Sequence, residues 1–321
     1  MKAVTLNGAG GAEVMRYADV PEPVAGPGHV MVEVAAAGVN FMDIGARRGL
    51  VGGGYKPTIL GVEGAGRVLD VGPGVVDFRV GDRVAWVFAP SSYAERVAVP
   101  ADSLVRVPDD IADVTAASLM MQGLTASHFA TDFYPVKPGD VALVHAAAGG
   151  LGQILSQIIK LRGGTVIGRV SSAAKIDTAK AAGADHVIVD GEGRFADQVR
   201  QLTGGVGVDV VYDGSGPVTF QGSLDALRRS GTFCWYGPVL GEPSAFNLMS
   251  LPRSVKIGYA VFFDHIPTPE LLRERAARLF GWVRDGKLQL TPATTFGLAD
   301  AAVAHAKMES RATTGKLLLI P

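Results

Sequence analysis

Between Gly139 and Gln153 the chain reads Gly-Asp-Val-Ala-Leu-Val-His-Ala-Ala-Ala-Gly-Gly-Leu-Gly-Gln, an apolar run that meets a glycine turn and then a helical pattern. Counted from Ala147 the turn is A-x-G-x-x-G, with Gly149 and Gly152 in the second and third glycine slots. Each glycine in this spacing has a mechanical task. At Gly149 the missing Cβ lets a pyrophosphate approach the backbone, and at Gly152 it lets the following helix pack closely on the strand. Ala148, Gly149, Gly150, Leu151 and Gly152 then offer backbone N–H groups and a helix N-terminus to phosphates. The turn therefore predicts a dinucleotide site.

A second group of residues bears on which dinucleotide. About twenty residues past the turn, an Asp or Glu would bind a ribose 2′-hydroxyl and repel a 2′-phosphate. This chain has Gly168, Arg169, Val170, Ser171 and Ser172 there, followed by Lys175. Hydroxyls and cations suit a phosphate, so the expected cofactor is NADPH. The plainer alternative for Lys175 is a solvated residue in the first turn of a helix.

The elements that must hold these residues are legible from the alternation of patterns. Strand-like segments at 141–145, 165–170, 186–190, 208–214 and 232–236 alternate with helix-like segments at 153–161, 173–182, 195–203 and 217–228. A further strand is expected near 256–263. This alternation predicts an α/β fold with a doubly wound, parallel, six-stranded Rossmann sheet. Residues 1–123 instead read as mostly strands, at 3–6, 30–36, 66–71, 83–87, 94–99 and 104–107, with Pro-Gly and Gly-Asp turns between them. Helices are expected at 41–48, 110–121, 268–285 and 299–308, and a last strand at 315–320. The predicted division is 1–123, 124–263 and a returning segment 264–321.

Composition limits the classes of function. A 321-residue chain of net charge −1, 48% hydrophobic and with 42 glycines suits a soluble α/β protein with many tight turns. The lack of a basic run argues against a nucleic-acid surface. The absence of a signal-like N-terminus and of a long apolar stretch leads to the expectation of a cytoplasmic protein with no membrane partner. The single cysteine, Cys234, cannot form an intrachain disulfide. The six histidines show no ligand spacing in the sequence, so none is expected to bind metal or to act as acid or base.

Several separated motifs carry a family resemblance. They are Ala37-Gly38-Val39-Asn40-Phe41-Met42-Asp43, Gly61-Val62-Glu63-Gly64-Ala65-Gly66, Gly81-Asp82-Arg83-Val84, Gln122-Gly123-Leu124-Thr125-Ala126, the glycine turn, and Ser310-Arg311-Ala312-Thr313-Thr314-Gly315-Lys316. The chain resembles the medium-chain dehydrogenases/reductases, and among them the zinc-free quinone oxidoreductases that include zeta-crystallin. This implies a GroES-like β-barrel catalytic domain carrying the Rossmann domain, and a homodimer joined through the Rossmann sheets. Where the superfamily's zinc enzymes have a cysteine ligand this chain has Asn40, and where they have Gly-His-Glu it has Gly61-Val62-Glu63. One cysteine cannot supply a four-thiolate structural zinc. No metal is expected, and acceptors that take a hydride readily, a quinone or an enone, are favoured over simple alcohols.

Carried over by matching positions, the resemblance implies that Asn40 and Asp43 line the substrate cleft and that Met121 and Thr125 flank the cofactor ring. Gly237, Pro238, Val261, Phe262 and Phe263 approach the nicotinamide, and Arg169, Ser171, Ser172, Lys175 and Arg311 are candidates for the 2′-phosphate. Asn40, Asp43 and Thr125 are the catalytic candidates. Each has a purely structural alternative: a helix cap for Asn40, a helix-dipole carboxylate for Asp43, a backbone hydrogen bond for Thr125, core or dimer packing for Phe262 and Phe263, and a surface ion pair for Arg311. Gly45 stands where many family members have a tyrosine, which predicts a wider site, and Tyr55 in a glycine-rich loop is a candidate cover. Asp190, at the end of the third strand, is expected to weaken selectivity for NADPH. Reduction of an alkenal or enone double bond is the second enzymatic reading. A crystallin-like structural or RNA-binding role that keeps NADPH without turnover is the third.

Overall fold

The computed structural model describes residues 1–50, 58–237 and 246–321. Tyr55 and Pro238 lie outside the described residues. The chain divides into two compact units: Met1–Gln122 with Ile266–Asp285 and Leu290–Pro321, and Gly123–His265 with Gly286–Gln289.

In chain order the first unit begins with β1 (Lys2–Leu6), β2 (Met15–Asp19), β3 (His29–Val39), α1 (Phe41–Arg47), β4 (Glu63–Val71), β5 (Arg83–Val87), β6 (Arg96–Pro100) and β7 (Leu104–Arg106). The helix α2 (Asp113–His128) leads into the second unit, which continues with β8 (Val141–Val144), α3 (Gly150–Leu161), β9 (Thr165–Val170), α4 (Ile176–Ala181), β10 (His186–Val189), α5 (Ala196–Leu202), β11 (Val208–Asp213), α6 (Pro217–Ala226), β12 (Leu227–Trp235) and β13 (Lys256–Tyr259). The chain then returns to the first unit with α7 (Pro269–Arg284), β14 (Thr294–Gly297), α8 (Ala301–Glu309) and β15 (Leu317–Ile320).

The first unit is built on β3. Its C-terminal residues pair with β15, its N-terminal residues pair with β6, and β4 runs antiparallel along its other edge. The order β14-β15-β3-β4-β5-β7 completes this sheet. Its glycines mark places where backbones meet: a Cβ on Gly66 would collide with Glu33 O across the β3/β4 pair. Trp86, Tyr93, Leu60 and Leu104 are fully buried in its core.

In the second unit the strand order β10-β9-β8-β11-β12-β13, with every pair parallel, is the doubly wound arrangement predicted from the alternation of patterns. Strands covered on both faces can be apolar throughout, which explains why β8, β9 and β11 read as near-continuous hydrophobic runs. A parallel sheet of this order places the carboxyl ends of β8 and β9 beside each other, where the glycine turn and the Ser-Ser segment begin.

Four elements differ from expectation. The helix expected at 110–121 does not end before Gln122: Gln122 to Ala126 lie inside α2, which runs to His128 and continues as a π-helical turn over Phe129–Phe133. Burial of Gly123 and Leu124 outweighs the poor helix propensity of glycine there. The sixth strand ends at Tyr259 rather than near Phe263, and Phe262–Asp264 form a single 3-10 turn. β2 and β14 lie outside the expected strands, because their residues carry no clear alternation. Among the described residues, no helix is long and apolar enough to cross a membrane.

Candidate functional site

In the second unit, β8 ends at Val144 and the backbone turns sharply. His145 N bonds Tyr212 O at 3.1 Å, Ala147 N bonds Arg169 O at 3.1 Å, and Gly149 N bonds Ala146 O at 2.7 Å. Ala146 takes a left-handed φ of 49°, a conformation that costs a residue with a Cβ about 1–2 kcal/mol. The turn is thus over-determined by its neighbours, as strained functional loops are.

The two glycines serve different contacts. A Cβ on Gly152 would collide with Ala146 O and lie 2.8 Å from Ala147 Cα, so helix α3 can sit this close to the turn only without one. At Gly149 a Cβ would meet only Ala146 atoms, at 3.1 and 4.0 Å, so the other side of that residue is open. Gly149 caps α3 with no side-chain hydrogen bond, and the first turn holds no acidic residue. The N–H groups of Gly150, Leu151 and Gly152 therefore form an uncompensated positive end suited to an anion. Ala148 is buried beneath them, its carbonyl accepting from Gln153 Nε2 at 2.8 Å. A pyrophosphate fits this cradle.

At the end of β9, the Lys175 ammonium donates to Ser171 Oγ at 3.3 Å, and Ser172 is exposed beside them. Arg169 faces elsewhere. It is 5% exposed, its Nε donates to Asp190 Oδ2 at 2.8 Å, and its guanidinium lies 5.2 Å from the Phe195 ring centre. Its charge is matched by Asp190, which also accepts from the backbone N–H groups of Glu192, Gly193 and Arg194. Burial opposes ionisation of Asp190, yet the Arg194 N–H and the Arg169 side chain hold its carboxyl below the usual range. The acid expected to repel a 2′-phosphate is thus neutralised. Arg311 belongs to the first unit, exposed in the connection between α8 and β15 with a φ of 59°.

Of the other nicotinamide candidates, Gly237 has a φ of 148°, and a Cβ there would meet nothing within 4 Å. Val261 and Phe263 are 39% and 53% exposed, and Phe262 and Phe263 meet edge to face at 6.2 Å. Thr125 is half-buried in α2.

The first unit contains a buried polar network that the sequence showed only in fragments. Asn40 starts α1, and its N–H donates to Asp43 Oδ2 at 2.8 Å. Its side chain does more than cap the helix: Nδ2 donates to Glu63 Oε1 at 2.8 Å and Oδ1 accepts from Lys316 Nζ at 3.0 Å. Lys316 is also ion-paired with Glu63, and Glu63 Oε2 accepts from Met121 N at 2.6 Å. Glu63 is fully buried and Lys316 3% exposed. A Cβ on Gly38 would collide with the Glu63 carboxylate, so Glu63 can lie here only beside a glycine.

Asp43 is no surface dipole partner. It is 1% exposed and accepts from Tyr93 Oη at 3.1 Å as well as from Asn40. Burial is the largest effect on its carboxyl, raised to about 7; the Asn40 N–H works against it and the Glu63 charge adds to it. Tyr93 Oη also lies 3.0 Å from His305 Nε2, and His305 Nδ1 lies 3.4 Å from Arg47. Burial and then the Arg47 charge lower His305 to about 3. Tyr93, His305 and Arg47 carried no local signal, because they come from three separate segments.

Asn40 and Glu63, from the two motifs in which the superfamily's zinc enzymes carry ligands, are here bonded to each other and to the Lys316 ammonium. A divalent cation does not fit beside the Lys316 ammonium, which supplies the positive charge that Glu63 needs.

Residues 26–109 match the alcohol dehydrogenase GroES-like domain and residues 182–319 match a model described as zinc-binding dehydrogenase. The chain is 38% identical to a 2-haloacrylate reductase of a Burkholderia species, over 99% of this chain and 98% of that one. It is 36% identical to a quinone oxidoreductase of Pseudomonas aeruginosa, over 100% and 99%. The chain belongs to the quinone oxidoreductase family of the medium-chain dehydrogenases/reductases. Among solved structures, the Escherichia coli quinone oxidoreductase complexed with NADPH superimposes with a TM-score of 0.96 at 34% identity, over the whole of both chains. Membership of this family accounts for the intact glycine turn.

Proposed function

We propose that the protein is a zinc-independent, NADPH-dependent quinone oxidoreductase. The observation that carries this reading is the open glycine turn at the head of α3 in a chain matched end to end by the NADPH complex of the E. coli quinone oxidoreductase. NADPH supplies a hydride, which with one proton reduces a quinone to the hydroquinone. The protein's part is to bind and orient. Backbone N–H groups of Gly150, Leu151 and Gly152 hold the pyrophosphate, and Ser171, Ser172 and Lys175 hold the 2′-phosphate. Asn40 and Asp43, locked by Glu63, Lys316 and Tyr93, form a rigid frame, while Met121, Thr125, Gly237, Val261, Phe262 and Phe263 are assigned to the nicotinamide and acceptor. A quinone needs little electrophilic help, which agrees with Asn40 standing where the zinc enzymes have a cysteine ligand.

The test follows NADPH absorbance with 1,4-benzoquinone, larger quinones, a linear enal and a cyclic enone, with NADH as control cofactor. Turnover of quinones with NADPH, and little with enones or NADH, is the expected result. Turnover of the alkenes alone would overturn it. The second reading, reduction of an activated carbon–carbon double bond, is favoured by the similarity to the 2-haloacrylate reductase.

A homodimer joined at the edge of the second unit's sheet is part of this proposal. β13 is the last strand of that sheet, and Tyr259 on it is 59% exposed next to exposed Val261 and Phe263. An edge strand with apolar neighbours is a template for pairing with a second copy. Sedimentation that gives a monomer at micromolar concentration would remove it.

A further inference from the structure

We propose that His128, Asp132 and His265 form a binding site for a divalent transition-metal ion, with zinc the ion that best suits the donors. The three residues each bring a ligand atom within 4.8 Å of the others. They come from two segments of the second unit. His128 closes α2, and Asp132 lies four positions on, in the π-helical turn Phe129–Phe133. That wide turn keeps both residues on one side of the helix, and such turns recur at functional sites. His265, from the turn after β13, brings its ring 5.2 Å from that of His128, centre to centre. Its Nδ1 is 2.7 Å from Asp132 Oδ2.

The donor chemistry is specific. Two imidazoles and a carboxylate form a set that zinc commonly takes, and it leaves a fourth position for water. The set carries one negative charge with both rings neutral. Zinc–ligand bonds of about 2.0–2.2 Å place tetrahedral ligands roughly 3.4 Å apart, so atoms now up to 4.8 Å apart must close by about 1.4 Å at most, and His265 Nδ1 and Asp132 Oδ2, at 2.7 Å, must part by about 0.7 Å if both ligate. Asp132, with 36% of its side chain exposed, can supply that movement and opens the site to solvent. His128 and His265 are 5% and 0% exposed and hold their places. This site lies in the other unit from Asn40, Glu63 and Lys316, so it is not the superfamily's zinc position. Its effect would be to staple the end of α2 to the segment that follows the sixth strand.

The test uses the full chain, stripped with a chelator and titrated with zinc chloride by calorimetry and in competition with a chromophoric chelator. The expected result is one ion per chain, a higher melting temperature in saturating zinc, and affinity lower by about tenfold or more in Asp132→Asn and His265→Gln. Asp132→Asn alters a solvent-facing side chain, and its NADPH affinity and circular dichroism check that it folds. Binding well below one ion per chain, or equal binding by wild type and Asp132→Asn, would overturn the proposal and leave the cluster as a hydrogen-bonded contact only.

Discussion

Replacing Asp43 by asparagine isolates the most perturbed carboxyl in the first unit. Its carboxyl titrates at about 7 in the folded protein against 3.8 for the free group. Because the folded value is raised, the unfolded chain gives up its proton first. The group's contribution to stability is therefore complete below about pH 4 and is lost as pH rises to about 7. A difference of about three units, at 1.36 kcal/mol each, amounts to about 4 kcal/mol. The amide introduced by Asp43→Asn cannot ionise, and its oxygen still accepts from Asn40 N or Tyr93 Oη. His305, lowered to about 3 by burial, destabilises the fold as pH falls below its free value of 6.5, which opposes Asp43 in the wild-type profile. That contribution is common to both proteins, so the difference between variant and wild type isolates Asp43. Urea unfolding of each at several pH values between 4 and 8.5, followed by tryptophan fluorescence and circular dichroism, measures that difference. The variant should gain about 4 kcal/mol on the wild type between the acid and alkaline ends, with the rise complete near pH 7. A flat difference would refute the reasoning, since it would mean that Asp43 is ionised in the fold as readily as a free carboxylate.

Lys316→Met leaves the Glu63 carboxylate buried and unpaired. It should cost about 3–5 kcal/mol by chemical denaturation, and Lys316→Met with Glu63→Gln should recover most of it. Gly149→Ala should leave the apo melting temperature nearly unchanged but weaken NADPH by about tenfold or more. Gly152→Ala, whose Cβ collides with Ala146 O, should destabilise the apo protein by about 1–3 kcal/mol. Titration calorimetry with thermal melts separates the two. Lys175→Ala should raise the Kd for NADPH by about tenfold or more and leave NADH nearly unchanged, the loss of one charge-assisted contact; equal losses for both cofactors would remove Lys175 from the 2′-phosphate site.

What the residues themselves determined is whatever rests on local spacing. The Rossmann sheet was legible because parallel strands buried on both faces must be apolar runs, and each must be followed by a helix that returns the chain. The glycine turn was legible because Gly149 and Gly152 serve contacts within a few residues of themselves. The motifs at Asn40, Glu63 and Lys316 were visible as separate fragments, yet their meaning depends on β3, β4 and β15 lying side by side, which sets an ammonium between an amide and a carboxylate 253 or more positions away in sequence. Only tertiary packing, in each unit, decided that Arg169 pairs with Asp190, that Asp43 is buried and shares Tyr93 with His305, and that His128, Asp132 and His265 meet. The reason is common to all three: a side chain's charge and partners are set by which distant segments exclude water from it, and residue type and spacing along the chain do not encode that exclusion.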